Sequence, residues 1–240
     1  MKPTLLLIPG LSGTSALMQW IVPYLKDHCE LCLVELPISV VHNDQSYEIL
    51  CDYIEDRYLN LLASKTCWVL GESFSGPIAA LLAKRHPQKI VGVILAASFV
   101  TCPHALARKL KKLLFALLPI RFGRERMGAF FLMGGDVFKK SSTFKKEIIQ
   151  ALGAAPTPTL IERFSTAMEC DLRPIFPLVQ PVLYLQATRD WIVLSSALKT
   201  IQAQQPDLKH VTLDAPHLIL QIKPQESALA IQQFITDNSP

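Results

Sequence analysis

Residues 67–80 read Cys67-Trp-Val-Leu-Gly-Glu-Ser-Phe-Ser-Gly-Pro-Ile-Ala-Ala80. The apolar run Cys67–Leu70 is strand-like, and the stretch from Pro77 to about His86 is helix-like. Between them lies Gly71-Glu72-Ser73-Phe74-Ser75-Gly76. A strand, a sharp turn of small residues around a central serine, then a helix is the build of a nucleophile elbow. The turn needs small side chains at Gly71 and Ser75, because strand and helix backbones approach closely around a strained central residue. Raised there, the Ser73 hydroxyl stands clear of the sheet. The helix N-terminus beneath it directs free N–H groups and a positive dipole end at any developing negative charge. G-x-S-x-S is a relaxed form of the usual G-x-S-x-G, so these residues alone do not separate an elbow from a structural turn. Ser75 is the competing hydroxyl, but it occupies the small-residue position and its offset from the strand end is wrong. Glu72 faces a crowded turn and is assigned no chemistry.

What decides is whether an acid and a histidine follow in the order this architecture requires. The apolar run Pro181–Ala187 is followed by Thr188-Arg189-Asp190, which sets Asp190 just past a strand end, on the edge where open α/β sheets gather their chemistry. His210–Asp214 reads as another short strand, followed by Ala215-Pro216-His217 and a helix-like segment over Gln225–Ile235. The order is Ser73, Asp190, His217. Taken singly, His217 reads as a turn histidine and Asp190 as a cap or turn former. Asp207 and Asp214 are rival acids. The three together, in order and in context, point to a catalytic triad. At the N-terminus, the strand Thr4–Ile8 leads into Pro9-Gly10-Leu11-Ser12-Gly13-Thr14 and a helix expected over about Ala16–Lys26. By position, the backbone N–H groups of Leu11 and Phe74 are the candidate oxyanion hole; an ordinary strand-to-helix turn suits these glycines equally.

Leu31–Leu36 and Ile90–Ala97 are further apolar strands, and Tyr47–Leu62 has helix periodicity. Continuous apolar runs suit strands buried on both faces of a parallel sheet. Six strands alternating with helices imply an α/β fold with a mostly parallel central sheet covered on both sides. At 240 residues, 50% hydrophobic and 18% charged, the chain is long and apolar enough to bury a core, and its composition argues against disorder. The apolar run after Lys2 ends at Pro-Gly, too short for a signal peptide, and no run approaches a membrane span. Six scattered cysteines without an export signal suit the cytoplasm. Cys29 and Cys32 form a C-x-x-C with no second ligand pair, which argues against zinc or redox work. The chemistry requires no cofactor and no metal.

With these motifs in place, the chain resembles the α/β-hydrolase superfamily. More narrowly, it is similar to bacterial hydrolases with Pro-Gly-Leu-x-Gly-Thr (Pro9–Thr14), Gly-Glu-Ser-Phe-Ser-Gly (Gly71–Gly76) and Pro-His-Leu-x-Leu-Gln (Pro216–Gln221). The resemblance covers residues 3–100 and 178–236. It implies an α/β-hydrolase core over 1–100 and 177–240, with a helical cap inserted over 101–176. Pro103–Lys146 holds eleven basic residues against two acidic ones. Ala105–Leu118 reads as an amphipathic basic helix, and Phe130–Met133 as part of a lid or pocket wall. A solvated outer face, a docking surface for an acidic acyl carrier, and attachment to anionic lipid are the competing readings of the charge. The docking candidates are Arg108, Lys109, Lys111, Lys112, Arg121, Arg124 and Arg126. In size, triad order and basic cap the chain is similar to carboxylesterases acting on pimeloyl-acyl-carrier-protein methyl ester in biotin synthesis, although its elbow departs from their usual G-W-S-x-G-G. The expected activity is a serine carboxylesterase. A lipase, thioesterase or acyltransferase, and a non-catalytic binding protein of the same fold, remain alternatives. Nucleic-acid binding is not expected, because the basic stretch lacks aromatic interleaving.

Overall fold

A computed structural model of the chain describes residues 2–38, 44–62, 65–104, 108–109, 132–134 and 141–239. Six strands form one sheet: β1 (Thr4–Ile8), β2 (Glu30–Leu33), β3 (Cys67–Glu72), β4 (Ile90–Ala96), β5 (Val182–Ala187) and β6 (Lys209–Leu213). Their order is β2-β1-β3-β4-β5-β6 and every pairing is parallel. The reason is visible in the sequence of β1, where all five residues are buried. Side chains alternate across a strand, so Leu5 and Leu7 enter one core while Leu6 and Ile8 enter the other. The first core is completed by Met18, Ile21 and the Pro224–Asn238 helix, through Ile231 and Phe234. The second is completed by the helices Tyr47–Ile54 and Gly76–Arg85, with Ile201 of the Ser196–Gln204 helix.

The chain leaves β1 for β2 at one edge and then returns to pair β3 on β1's other side. That reversal is a topological switch point, and the loops leaving β1 and β3 part there to open a crevice above the C-terminal strand ends.

Several boundaries differ from the sequence expectation. The helix expected over Ala16–Lys26 is a 3₁₀ segment, Ser15–Trp20, followed by a single α-turn, Val22–Leu25, with Pro23 in its first turn. Proline is tolerated there but donates no N–H to continue the preceding turns. Strand β2 stops at Leu33, short of the expected Leu36. The long helix over Tyr47–Leu62 is regular only to Ile54 and continues as a π segment (Glu55–Leu59) and a 3₁₀ turn (Asn60–Leu62). Between β4 and β5 lie the helices Ser142–Leu152 and Thr157–Glu169. Most of the basic helix expected over Ala105–Leu118 lies outside the described residues, as do Lys111, Lys112, Arg121, Arg124 and Arg126. Arg108 and Lys109 are exposed. Among the described residues, no helix is long and apolar enough to cross a membrane.

Candidate active site

The elbow is built by contacts that exclude side chains. Ser73 has φ +52°, the left-handed region that a non-glycine residue enters only under constraint. A Cβ on Gly71 would lie 2.3 Å from the Ser75 carbonyl oxygen, and one on Gly76 would lie 1.8 Å from Ser98 Oγ. Ser98 Oγ in turn donates to the Ser73 carbonyl, so the hydroxyl just after β4 holds the strained residue from below. The competing hydroxyl, Ser75, is fully buried and donates to the Pro9 carbonyl, tying the elbow to the loop after β1.

The structure brings Ser73, His217 and Asp190 into one hydrogen-bonded chain. His217 Nε2 lies 2.7 Å from Ser73 Oγ, and His217 Nδ1 lies 2.7 Å from Asp190 Oδ2. Each residue stands at or just beyond the C-terminal end of a different strand: Ser73 after β3, Asp190 after β5 and His217 after β6. Asp190 is held by its other oxygen, Oδ1, which accepts from the backbone N–H groups of Ile192 (2.8 Å) and Val193 (2.9 Å). The rival acids stand elsewhere. Asp214 is exposed and accepts from Arg189 Nε at 2.7 Å, whose guanidinium holds its carboxyl below the usual carboxylate range. Asp207 is exposed in the turn before β6.

The His217 and Asp190 side chains are only 4% and 3% exposed. Burial disfavours the imidazolium, but the Asp190 carboxylate, aided by the charge of Glu72, outweighs it and holds the His217 pKa above its ordinary 6.5.

The loop after β1 passes over the serine, with the Cβ position of Gly10 only 3.6 Å from Ser73 Cβ. Gly13 N–H donates to the Gly10 carbonyl at 2.9 Å, closing a turn in which Gly13 takes φ +75°. In a trans peptide the C=O and N–H point in opposite directions. With the Gly10 carbonyl turned inward to Gly13, the Leu11 N–H points out of the turn. Among the described residues no acceptor takes the amide proton of Leu11 or of Phe74.

Gly10, Leu11, Ser73 and His217 line a small cavity of about 80 Å³, walled by Leu17, Leu132, Leu152 and Leu218. Leu132 therefore stands at the expected pocket wall, and Met133 beside it is fully buried; Phe130 and Phe131 lie outside the described residues. A larger hollow, about 880 Å³, lies at the opposite edge, where the strands begin; among the described residues its lining, which includes Lys2, Lys26, Glu30 and Lys65, holds no serine, histidine or aspartate.

Sequence reading missed two residues here. Glu72 lines the cavity, is 4% exposed, and accepts from Gln221 Nε2 at 2.9 Å. Burial raises its carboxyl pKa, opposed by the Gln221 and Gly10 hydrogen bonds and by the nearby His217. The signal was available, since Glu72 and Gln221 each lie inside one of the three motifs, Glu72 beside Ser73 and Gln221 four residues after His217. The other is Arg163, wholly buried on the Thr157–Glu169 helix. It falls on the same stripe as Leu160 and Ala167, at i+3 and i+7, so a cation stands where the helix pattern calls for an apolar residue.

Among the described residues, no group of three His, Cys, Asp or Glu is placed to hold a metal. Cys29 is buried and Cys32 half-buried, both as free thiols.

A protein-family model described as "alpha/beta hydrolase fold" matches residues 3–169. Over 97% of its length the chain is 25% identical to the biotin biosynthesis bifunctional protein BioHC of Cellvibrio japonicus, spanning 47% of that protein. It is also 25% identical to a pimeloyl-[acyl-carrier protein] methyl ester esterase of Aeromonas hydrophila, covering 97% of this chain and 95% of that one. The crystal structure of a hydrolase from Pseudomonas aeruginosa superimposes with a TM-score of 0.85, covering 98% of this chain and 90% of that one at 22% identity, a likeness of fold.

Proposed function

The chain belongs to the alpha/beta hydrolase fold family, and from that premise we propose that it is a carboxylic ester hydrolase acting through Ser73, His217 and Asp190. The observation that supports this most is the pair of 2.7 Å contacts, from Ser73 Oγ to His217 Nε2 and from His217 Nδ1 to Asp190 Oδ2. In the first half-reaction His217 Nε2 takes the Ser73 hydroxyl proton as Oγ bonds to the ester carbonyl carbon. The N–H groups of Leu11 and Phe74 hold the carbonyl oxygen while it is negative. The C–O bond to the alcohol breaks and His217 returns the proton to the departing oxygen. In the second half-reaction water repeats the sequence against the acyl-serine, and the acid leaves. Asp190 keeps the Nδ1 proton in place, so that Nε2 is free to accept.

The proposed substrate is the methyl ester of a pimeloyl group carried by an acidic acyl carrier protein. It is supported by full-length similarity to the Aeromonas esterase and by the excess of basic residues between β4 and β5. A one-signed surface attracts a polyanionic carrier over about a Debye length, and added salt weakens that attraction. The test is turnover of pimeloyl-acyl-carrier-protein methyl ester by the native protein and by Ser73→Ala, with fluorophosphonate labelling alongside. Labelling and turnover that vanish together in the variant are expected. Labelling that survives in Ser73→Ala, or fails in the native protein, overturns the serine-esterase reading. Salt-independent turnover overturns the carrier reading alone.

A further inference from the structure

Arg163 presents an unusual set of partners. Its guanidinium is wholly buried, and among the described residues no carboxylate pairs with it. Its three nitrogens each donate to a neutral oxygen instead: Nε to Gln45 Oε1 (2.9 Å), Nη1 to the Leu11 carbonyl (2.9 Å) and Nη2 to the Pro37 carbonyl (3.0 Å). Burying an unpaired cation is costly, and here the cost depresses the pKa of the group to about 10. A group kept at such expense, on a helix between β4 and β5, and bonded to the residue after Gly10, calls for a function.

The loop it grips is the one beside Ser73. Two peptide planes flank the Leu11 Cα. The Gly10–Leu11 plane, which carries the Leu11 N–H, is set by the turn bond from Gly13 N–H to the Gly10 carbonyl. The Leu11–Ser12 plane is set by Arg163, through the Leu11 carbonyl. Gly13 is shaped to admit the guanidinium: a Cβ there would lie 2.2 Å from Nη1. Both planes are therefore held, one from within the turn and one from the Thr157–Glu169 helix. The same helix binds the Gln45 segment a second time through Thr166 Oγ1, which donates to the Gln45 carbonyl at 3.1 Å.

We propose that Arg163 is a positioning residue for ester hydrolysis: it clamps the Leu11 carbonyl so that the adjacent N–H is preorganised as an oxyanion donor, and it sets a buried positive charge behind that donor. This rests on the reading of Ser73 as the nucleophile and Leu11 as an oxyanion donor. Such a donor gains its worth from being fixed before charge develops, and a displacement of about 1 Å far from the reacting atoms can cost about 10²-fold in rate. The clamp acts on the transition state and not on substrate binding, so its loss belongs in kcat.

The test compares Arg163→Gln and Arg163→Lys with the native protein on a nitrophenyl ester, with rates normalised to sites counted by fluorophosphonate titration. Affinity for an alkyl boronic acid, which mimics the tetrahedral anion, is measured in parallel. Arg163→Gln is expected to lose about 10- to 100-fold in kcat, with KM within threefold of native. Boronate affinity should weaken in proportion. Arg163→Lys, which keeps the charge and one donor, should recover part of the loss. A per-site kcat of Arg163→Gln within threefold of native overturns the proposal, as does a loss seen only in the number of titratable sites. Failure of both variants to fold assigns Arg163 to stability and overturns it too. Failure of the underlying reading is a separate result: the native protein would then turn over ester without labelling, or keep its activity in Ser73→Ala.

Discussion

Replacing Asp190 with asparagine exposes the logic of the site, because the change is nearly isosteric and its consequence is fixed by hydrogen bonds already counted. Asp190 Oδ1 accepts two backbone N–H groups, from Ile192 and Val193, while Oδ2 accepts one, from His217 Nδ1. An asparagine has one acceptor oxygen and one amide nitrogen to place in these two positions. With its oxygen toward Ile192 and Val193, two bonds are kept and the NH₂ faces His217. The reverse orientation keeps one bond and turns the NH₂ into two buried donors. Each lost bond at a buried site costs about 1–3 kcal/mol, so the first orientation wins. His217 Nδ1 must then become an acceptor, and the ring proton moves to Nε2, which faces Ser73 Oγ. An Nε2 that carries its own proton cannot take the serine's.

The expected loss in kcat is about 10⁴-fold, the size seen when a triad carboxylate is replaced in this way, equivalent to about 5.4 kcal/mol of barrier. Burst-corrected rates on a short-chain nitrophenyl ester would measure it, with Asp207→Asn and Asp214→Asn as controls expected within about threefold of native. The pH profile supplies an independent reading. In the proposed mechanism His217 must be neutral to act as a base, so kcat/KM is expected to rise with pH through its raised pKa. Without the Asp190 charge that raises it, the residual activity of Asp190→Asn should reach its half-maximum at lower pH. A loss smaller than about tenfold, or an equal loss in Asp214→Asn, refutes the tautomer argument.

Three further outcomes can be measured. Glu72→Gln removes a buried carboxyl whose pKa is raised by burial. Such a group contributes stability that is fully present below its unfolded pKa and is lost as pH rises through the folded one. The variant should therefore melt higher than native at pH 7, with the gap closing toward pH 4; a gap that is constant with pH would contradict this. Because Glu72 also helps raise the His217 pKa, the same variant should move the acid limb of kcat/KM to lower pH. Gly76→Ala drives a methyl group into Ser98, whose hydroxyl supports the Ser73 carbonyl. Overpacking costs about 1–3 kcal/mol, and fluorophosphonate labelling per folded molecule should slow at least tenfold; native labelling kinetics would show that the elbow tolerates the shift.

The alternating apolar runs made the sheet legible, because a parallel strand buried on both faces leaves a continuous hydrophobic signature. Thr4–Ile8 has the bounds read from sequence, and β4 to β6 lie within a residue of theirs. Helix ends were less legible. The run expected over Ala16–Lys26 breaks into 3₁₀ and α turns, and the run over Tyr47–Leu62 slackens into a π segment. Apolar periodicity records which face is buried and is nearly blind to whether a turn closes at i+3, i+4 or i+5. Of the candidate site residues, Ser73, Asp190 and His217 were readable because each follows a strand, and strand ends on one edge of a parallel sheet are neighbours in space whatever their separation in sequence.

Tertiary structure supplied the contacts that separate the two aspartates near strand ends: Asp190, the acid selected by the order of the residues, meets His217, while Asp214 turns out to Arg189. It also decided the standing of Glu72 and Arg163. A local pattern states that a polar residue interrupts an apolar face; it does not state what that residue meets. Arg163 and Leu11 are 152 positions apart, and their contact exists only because the segment between β4 and β5 folds back onto the loop after β1. Ser73 and His217 lie in short motifs at the strand ends. The environment around them comes from long-range packing, which no motif encodes.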